Sequence, residues 1–254
     1  MALKLEADGM DIGKCFSHAW GLFKLDWGPL VVTALVAAVI VGVVRAVVGL
    51  ALGGVEGLDA FSLSLAGFGF RAAFAFTLLV GVVTIVVYAW MYAVTFRMVL
   101  RRVREGRAAE YADMQSFDQI GAFAVAAVVL GVIISVGYLL FIVPGLVLTT
   151  LWIFALPLIG DRRMNVGEAM GRSKDMAAQL GYMTTFVTWL VGAIVVGVIV
   201  GLLSVIPVVG VIIGLVAAPF AVAYVVSMYF QAEGNGAMID AALARAAGPP
   251  RPGR

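Results

Sequence analysis

Cys15 and His18 are the single cysteine and the single histidine of the chain, and they stand three residues apart, about one helical turn. A thiol beside an imidazole is the pairing that generates a thiolate nucleophile. No acid stands nearby to orient the imidazole, so the pair does not read as a nucleophile with its base, and His18 reads as part of a polar helix face. One cysteine excludes an internal disulfide. It also excludes a cysteine-based zinc site, which needs several thiolates or thiolates with histidines. The expectation is no catalytic residue, no metal and no cofactor.

The remaining chemistry lies in cations and hydroxyls. Lys14, Lys24, Arg101 and Arg102 are candidate contacts for anionic lipid, each worth about 1 kcal/mol near a charged membrane surface. Ordinary positive-inside topology predicts the same residues. Arg45 is the one charge inside an apolar segment. Counted from Trp27 it sits about 27 Å along a helix, at an outer interface where it can snorkel. Its functional alternative is an anion contact shared with Arg71. Thr77, Thr84, Tyr88, Tyr92 and Thr95 fall close to one helix face. They are candidates for a polar lining, or they bond back to their own helix. Ion-coupled transporters carry ionisable groups at mid-membrane depth, and the apolar stretches from Ala72 onward hold none in their cores.

These residues must be positioned by membrane helices. The chain of 254 residues is 63% hydrophobic and 13% charged, about half the charge content of soluble domains. Met176–Ala232 contains no charge and no histidine, nor does Gln119–Gly160. Each stretch exceeds the roughly 20 residues of one crossing and suits a helix hairpin. Continuous apolar runs such as Val191–Val200 exclude the alternating strands of a β-barrel. The fold class is therefore all-α, a polytopic transmembrane bundle of six helices with two interfacial amphipathic helices.

The organisation read from the pattern begins with a polar tail, 1–10, and an amphipathic interfacial helix, 11–26. A first hairpin fills 27–118, with spans near 27–52 and 72–100, an outer segment 53–70 and a basic cytoplasmic loop. The second hairpin is 119–160, turned at Pro144-Gly145, and its second arm is short enough to be re-entrant. A cytoplasmic amphipathic helix, 161–179, precedes the third hairpin, 180–232, turned at Pro207–Gly210. The tail, 233–254, ends disordered. Of 17 lysines and arginines, all but Arg45 and Arg71 fall on one side of six spans, which puts both termini in the cytoplasm. The polar, acidic N-terminus lacks the pattern of a cleaved secretory signal.

In the first amphipathic segment Ile12, Phe16, Ala19, Trp20 and Phe23 share a face opposite Lys14, Ser17, His18 and Lys24. In the second, Val166, Ala169, Met170, Ser173, Ala177 and Leu180 oppose Glu168, Arg172, Asp175 and Gln179. Asn165 and Glu168 form a capping-box pattern. Asp11-Ile-Gly-Lys echoes Asn165-Val-Gly-Glu, and the proline pairs 144/157 and 207/219 are similarly spaced, which together suggest a weak internal repeat of hairpins. GxxxG pairs at Gly49/Gly53, Gly197/Gly201 and Gly210/Gly214 suggest close helix packing.

The stretch Phe141-Ile-Val-Pro-Gly-Leu-Val-Leu, then Phe154-Ala-Leu-Pro-Leu-Ile and Asn165-Val-Gly-Glu-Ala-Met-Gly-Arg-Ser, resembles a broad bacterial inner-membrane family. The membrane domain of some glycerophosphodiester phosphodiesterases belongs to the same group. Glu168, Ala169, Met170, Arg172 and Ser173 match its amphipathic helix, and Gly181-Tyr182 stands where the family often has Trp. The resemblance covers roughly 120–232 and implies a six-helix domain of the bacterial cytoplasmic membrane with no catalytic residues. The expected function is a non-enzymatic membrane protein handling lipid or a small solute. The alternative is a scaffold or accessory subunit whose amphipathic helices bind a protein partner. Expected partners are the bilayer, anionic lipids, and a partner protein or a second copy, with no nucleic acid.

Overall fold

The computed structural model describes residues 10–51, 69–115, 117, 119–205 and 207–247. The polar start of the tail, most of the outer segment 53–70 (Gly53 of the first GxxxG pair included) and the final Gly-Pro-rich residues lie outside them.

The described chain is an all-α bundle. Its helices are α1 (Ile12–Ala51), α2 (Gly69–Glu105), α3 (Ile120–Leu140), α4 (Ile142–Leu151), α5 (Ala155–Arg162), α6 (Val166–Leu180), α7 (Tyr182–Leu203), α8 (Pro207–Ala232) and α9 (Gly236–Ala247), with a 3-10 turn at Tyr111–Gln115. Among the described residues six spans are long and apolar enough to cross a membrane, α4 and α5 together making one of them. The chain is a multi-pass integral membrane protein.

Proline decides where the helices break. The residues four upstream of Pro144, Pro157 and Pro207 are Leu140, Ile153 and Leu203, and the preceding helix stops at Leu140, Leu151 and Leu203. A proline ring clashes with the carbonyl four residues before it and cannot donate to it. The break therefore falls one turn ahead of the proline, which opens the next helix. This corrects the expected turns. The second hairpin turns at Phe141, whose backbone is extended (φ −161°, ψ 154°), and Pro144 and Gly145 lie inside α4. The third turns at Ser204–Val205, and Pro207 and Gly210 lie in the first turn of α8. Moving the turn to Phe141 also lengthens the arm after it. Ile142–Arg162 covers 21 residues, a full crossing of about 30 Å, so no re-entrant half-helix is needed.

Pro29 acts the same way on α1. Asp26 leaves helical geometry there (φ −126°, ψ 26°) and divides a basic-end segment from the span. The basic-end segment runs antiparallel along α8. The Asp11 amide bonds Gln231 Oε1 at 3.1 Å, Phe16 meets Tyr224 at 4.8 Å between centroids, and Phe23 meets Phe220 at 6.3 Å. The segment packs along α8 through these contacts. Its buried face is Cys15, His18, Ala19, Leu22 and Phe23, while Trp20 is half exposed. The face is thus rotated from the expected one, because the small Cys15 and Ala19 let α1 and α8 approach where Trp20 would not fit.

Burial is concentrated at the basic end. There α2 buries most residues of one face between Ala89 and Val103 and α8 most residues between Val222 and Phe230, with Phe123, Phe154, Leu158, Ile159 and Ile239 filling the space between. At the opposite end Leu139, Phe141, Ile142, Leu202 and Val205 are widely exposed, as expected where lipid tails are the solvent. In the described part of the tail 236–247 is a helix, and Ile239 and Ala242 are buried.

The two segments that the expected repeat pairs are capped alike. Asp11 Oδ1 accepts from the Lys14 amide at 3.0 Å, and Asn165 Oδ1 accepts from the Glu168 amide at 2.9 Å. The capping box at Asn165 is complete. Pro157 lies in the first turn of α5 behind a helix break, whereas Pro219 remains inside an unbroken α8.

Candidate functional site

Three helices end together at the basic end, and each brings a charge. Arg104 lies in the last turn of α2, Asp161 and Arg162 in the last turn of α5, and Glu233 follows α8. Arg104 holds Asp161 bidentately, Nε to Oδ1 at 3.0 Å and Nη2 to Oδ2 at 2.5 Å, and reaches Glu233 Oε2 at 3.3 Å. Arg162 closes the set on Glu233 Oε1. The Tyr229 hydroxyl lies 2.8 Å from Asp161 Oδ2 and 2.9 Å from Glu233 Oε1. It has one proton and donates to one carboxylate at a time. The Arg104 guanidinium also stacks over Phe230, 4.8 Å from the ring centroid. The two carboxylates are buried, with side chains 9% and 7% exposed. Two guanidinium groups balance them, so the clasp is neutral and joins the ends of α2, α5 and α8. Such a geometry holds helices in register and offers no reactive group.

Two further ion pairs tie the same end. Arg101 Nη1 meets Asp113 Oδ1 at 3.0 Å, and Arg102 Nε lies 3.5 Å from Asp26 at the α1 kink. The loop carrying Asp113 folds back along α2, where Trp90 Nε1 donates to the Met114 carbonyl. His18 does not join the polar face. It is buried, and its Nε2 lies 2.9 Å from Asp240 Oδ1 on α9, while the Cys15 thiol is buried against α8. Asp240 is the orienting acid that the local sequence lacks, but no open space for a substrate is lined by this pair among the described cavities.

The expected lipid or anion contacts disperse. Arg101 and Arg102 sit at the end of α2, and Lys14 and Lys24 are exposed on α1, with Lys24 5.1 Å over the Trp20 ring. Arg45 is exposed toward the opposite end. Arg71 and Thr77 belong to α2, their side chains outside the described set. Among the described side chains the expected polar lining does not form an internal path. Thr84 spends its hydroxyl on the Val80 carbonyl at 2.7 Å, and Tyr88 and Tyr92 are exposed on the outside of the bundle. Thr95, Thr149, Thr150 and Thr188 also bond the carbonyl four residues back, the ordinary use of membrane hydroxyls.

Of the GxxxG glycines, Gly210 is closely packed, where a Cβ would lie 3.1 Å from Ser204. A Cβ at Gly197, Gly201 or Gly214 would meet open space. Close approach occurs at Gly192, where a Cβ would lie 2.3 Å from Tyr224, and at Gly145, 2.4 Å from Tyr138.

The largest described opening is lateral. An apolar groove of about 610 Å³ lies between α7 and α8 and the basic-end segment of α1, lined by Phe16, Trp20, Val196, Ile199, Ala217 and Phe220. Ser17 is the one hydroxyl on its wall. A second cavity, polar and about 180 Å³, adjoins the clasp where α2, α3 and α5 meet.

No family model, no curated protein and no solved structure matches the chain.

The clasp was not singled out from the sequence, yet a signal for it exists. Both long uncharged stretches end on a carboxylate, Gly160-Asp161 and Ala232-Glu233. Two acids that each close a span on the same side predict a shared cationic partner.

Proposed function

We propose that this is a non-enzymatic membrane protein that retains a bilayer lipid by holding an acyl chain in the lateral groove between α7 and α8. The groove carries the reading. It is open to the side, apolar along its length and set among spanning helices. A chain laid there exchanges disordered neighbours for fixed aromatic and branched walls, a gain in dispersion contacts. The positive charge gathered at one end supports a cytoplasmic location for that end and for both termini, in a bacterial inner membrane as the resemblance implies.

The scaffold alternative draws less support. The apolar side of α6 is spent inside the fold through Ala169, Ser173, Met176 and Ala177. A protein partner would have to read the polar faces.

Ala217→Trp tests the reading by filling the groove from its wall. Native mass spectrometry of protein extracted from phospholipid nanodiscs is expected to show a retained phospholipid on the parent chain and its loss from the variant. Equal retention by both would sink the proposal.

A further inference from the structure

We infer that the groove between α7 and α8 selects an anionic phospholipid from the leaflet at the basic end. Lys24 is the cation that meets its phosphate. This headgroup station rests on the acyl-chain site already proposed and adds the class of lipid to it.

The groove is polarised along its length. Among the described lining residues, those of α7 (Val195, Val196, Ile199 and Val200) and those of α8 are all apolar. Polarity enters from the basic-end segment of α1, which brings Ser17 and Trp20 to the wall. A lipid laid there puts its headgroup at the α1 end. Its chain then runs past Val200 toward the turn at Ser204–Val205.

Lys24 sets the charge at the headgroup end. It follows Trp20 by one helical turn, on the same side of α1, and its Nζ lies 5.1 Å from the centroid of the Trp20 ring. Trp20 is itself a wall residue, so a cation–π contact holds the ammonium at the rim of the groove. Lys24 is exposed, and none of the ion pairs among the described residues takes it. The acids of the same segment are engaged. Asp26 is buried against Arg102 at 3.5 Å, and Asp11 Oδ1 accepts from the Lys14 amide. Ser17 spends its proton on the Lys14 carbonyl at 3.1 Å, which leaves the anion to Lys24. Trp20 and Trp27, both exposed, bracket Lys24. Tryptophan marks the depth at which headgroups lie, and a lysine stem is long enough to reach them.

Nanodiscs of equimolar phosphatidylglycerol and phosphatidylcholine with identical acyl chains test the selection. Native mass spectrometry of the extracted protein reads which lipid stays bound. The parent chain is expected to retain phosphatidylglycerol about fivefold over phosphatidylcholine, the worth of one lysine beside an anionic headgroup. Lys24→Gln is expected to retain the two equally, and the phosphatidylcholine it keeps shows that the groove is intact. Lys24→Arg is expected to preserve the preference. Lys174→Gln removes an exposed cation from α6, which does not line the groove, and is expected to change nothing. Equal retention by the parent chain overturns the selection and leaves the groove reading standing. So does an undiminished preference in Lys24→Gln, or the same loss in Lys174→Gln. A parent chain that retains neither lipid overturns both.

Discussion

Ser173 on α6 donates its hydroxyl to the carbonyl of Leu151 at 2.7 Å. Ser173 Oγ also accepts from the Phe154 amide at 3.2 Å. These backbone groups flank the gap between α4 and α5 that Pro157 enforces, and helix ends leave such groups without intrahelical partners. One buried serine thus satisfies both sides of a break inside a membrane span. In hydrocarbon there is no water to take its place. Ser173→Ala is expected to destabilise the protein by about 1–3 kcal/mol, read as a lowered midpoint of denaturant unfolding in mixed micelles.

Arg104 is the guanidinium that touches both buried carboxylates of the clasp. Arg104→Met leaves Asp161 without its bidentate partner and Glu233 with Arg162 alone. The expected cost is about 2–4 kcal/mol, less than for a fully buried pair because Arg104 is partly exposed. Arg162→Met, farther toward solvent, is expected to cost less. Unfolding midpoints of the two variants check the order.

Glycines on α7 divide by what faces them. Gly192→Val drives a side chain into Tyr224, whose hydroxyl donates to the Thr188 carbonyl at 2.7 Å. Overpacking there is expected to cost about 1–3 kcal/mol. Gly197→Ala meets nothing and is expected to be neutral or to gain up to about 1 kcal/mol of helix propensity. Paired thermal melts of the two variants separate these outcomes.

The capping box of α6 offers a smaller effect. Asn165→Ala removes the acceptor for the Glu168 amide, at a typical cost of about 1 kcal/mol. Hydrogen exchange is expected to speed at the first turn of α6 and remain unchanged at Met176.

Orientation is open to chemical labelling. The native Cys15 is fully buried and is expected to resist maleimide in the folded protein. Glu110→Cys places a thiol on the exposed loop after α2. It is expected to react only after the membrane is permeabilised. Reaction from outside intact cells would reverse the cytoplasmic assignment.

Much of the architecture was legible in the residues. Hydropathy and length are local and additive, so uncharged stretches such as Met176–Ala232 declare spans before any packing is known. The asymmetry of lysine and arginine gathers the charges at one end, and Asn165 with Glu168 announces the start of α6. Proline was legible as a break but misplaced as a turn, because its clash acts on the carbonyl four residues earlier.

The tertiary structure decided the rest. Arg104 and Glu233 are 129 positions apart, and no local pattern states which carboxylate an arginine at a helix end will meet. The rotation of α1 that buries His18 and exposes Trp20 follows from how closely Cys15 and Ala19 let it approach α8. The gathering of Arg97, Arg101, Arg104 and Arg163 around one cavity needs α2 and α5 to end side by side. Sequence alone determined a membrane bundle with its charge at one end. Which charges pair, and which enclose a space, depends on contacts between distant segments that form only when the helices pack.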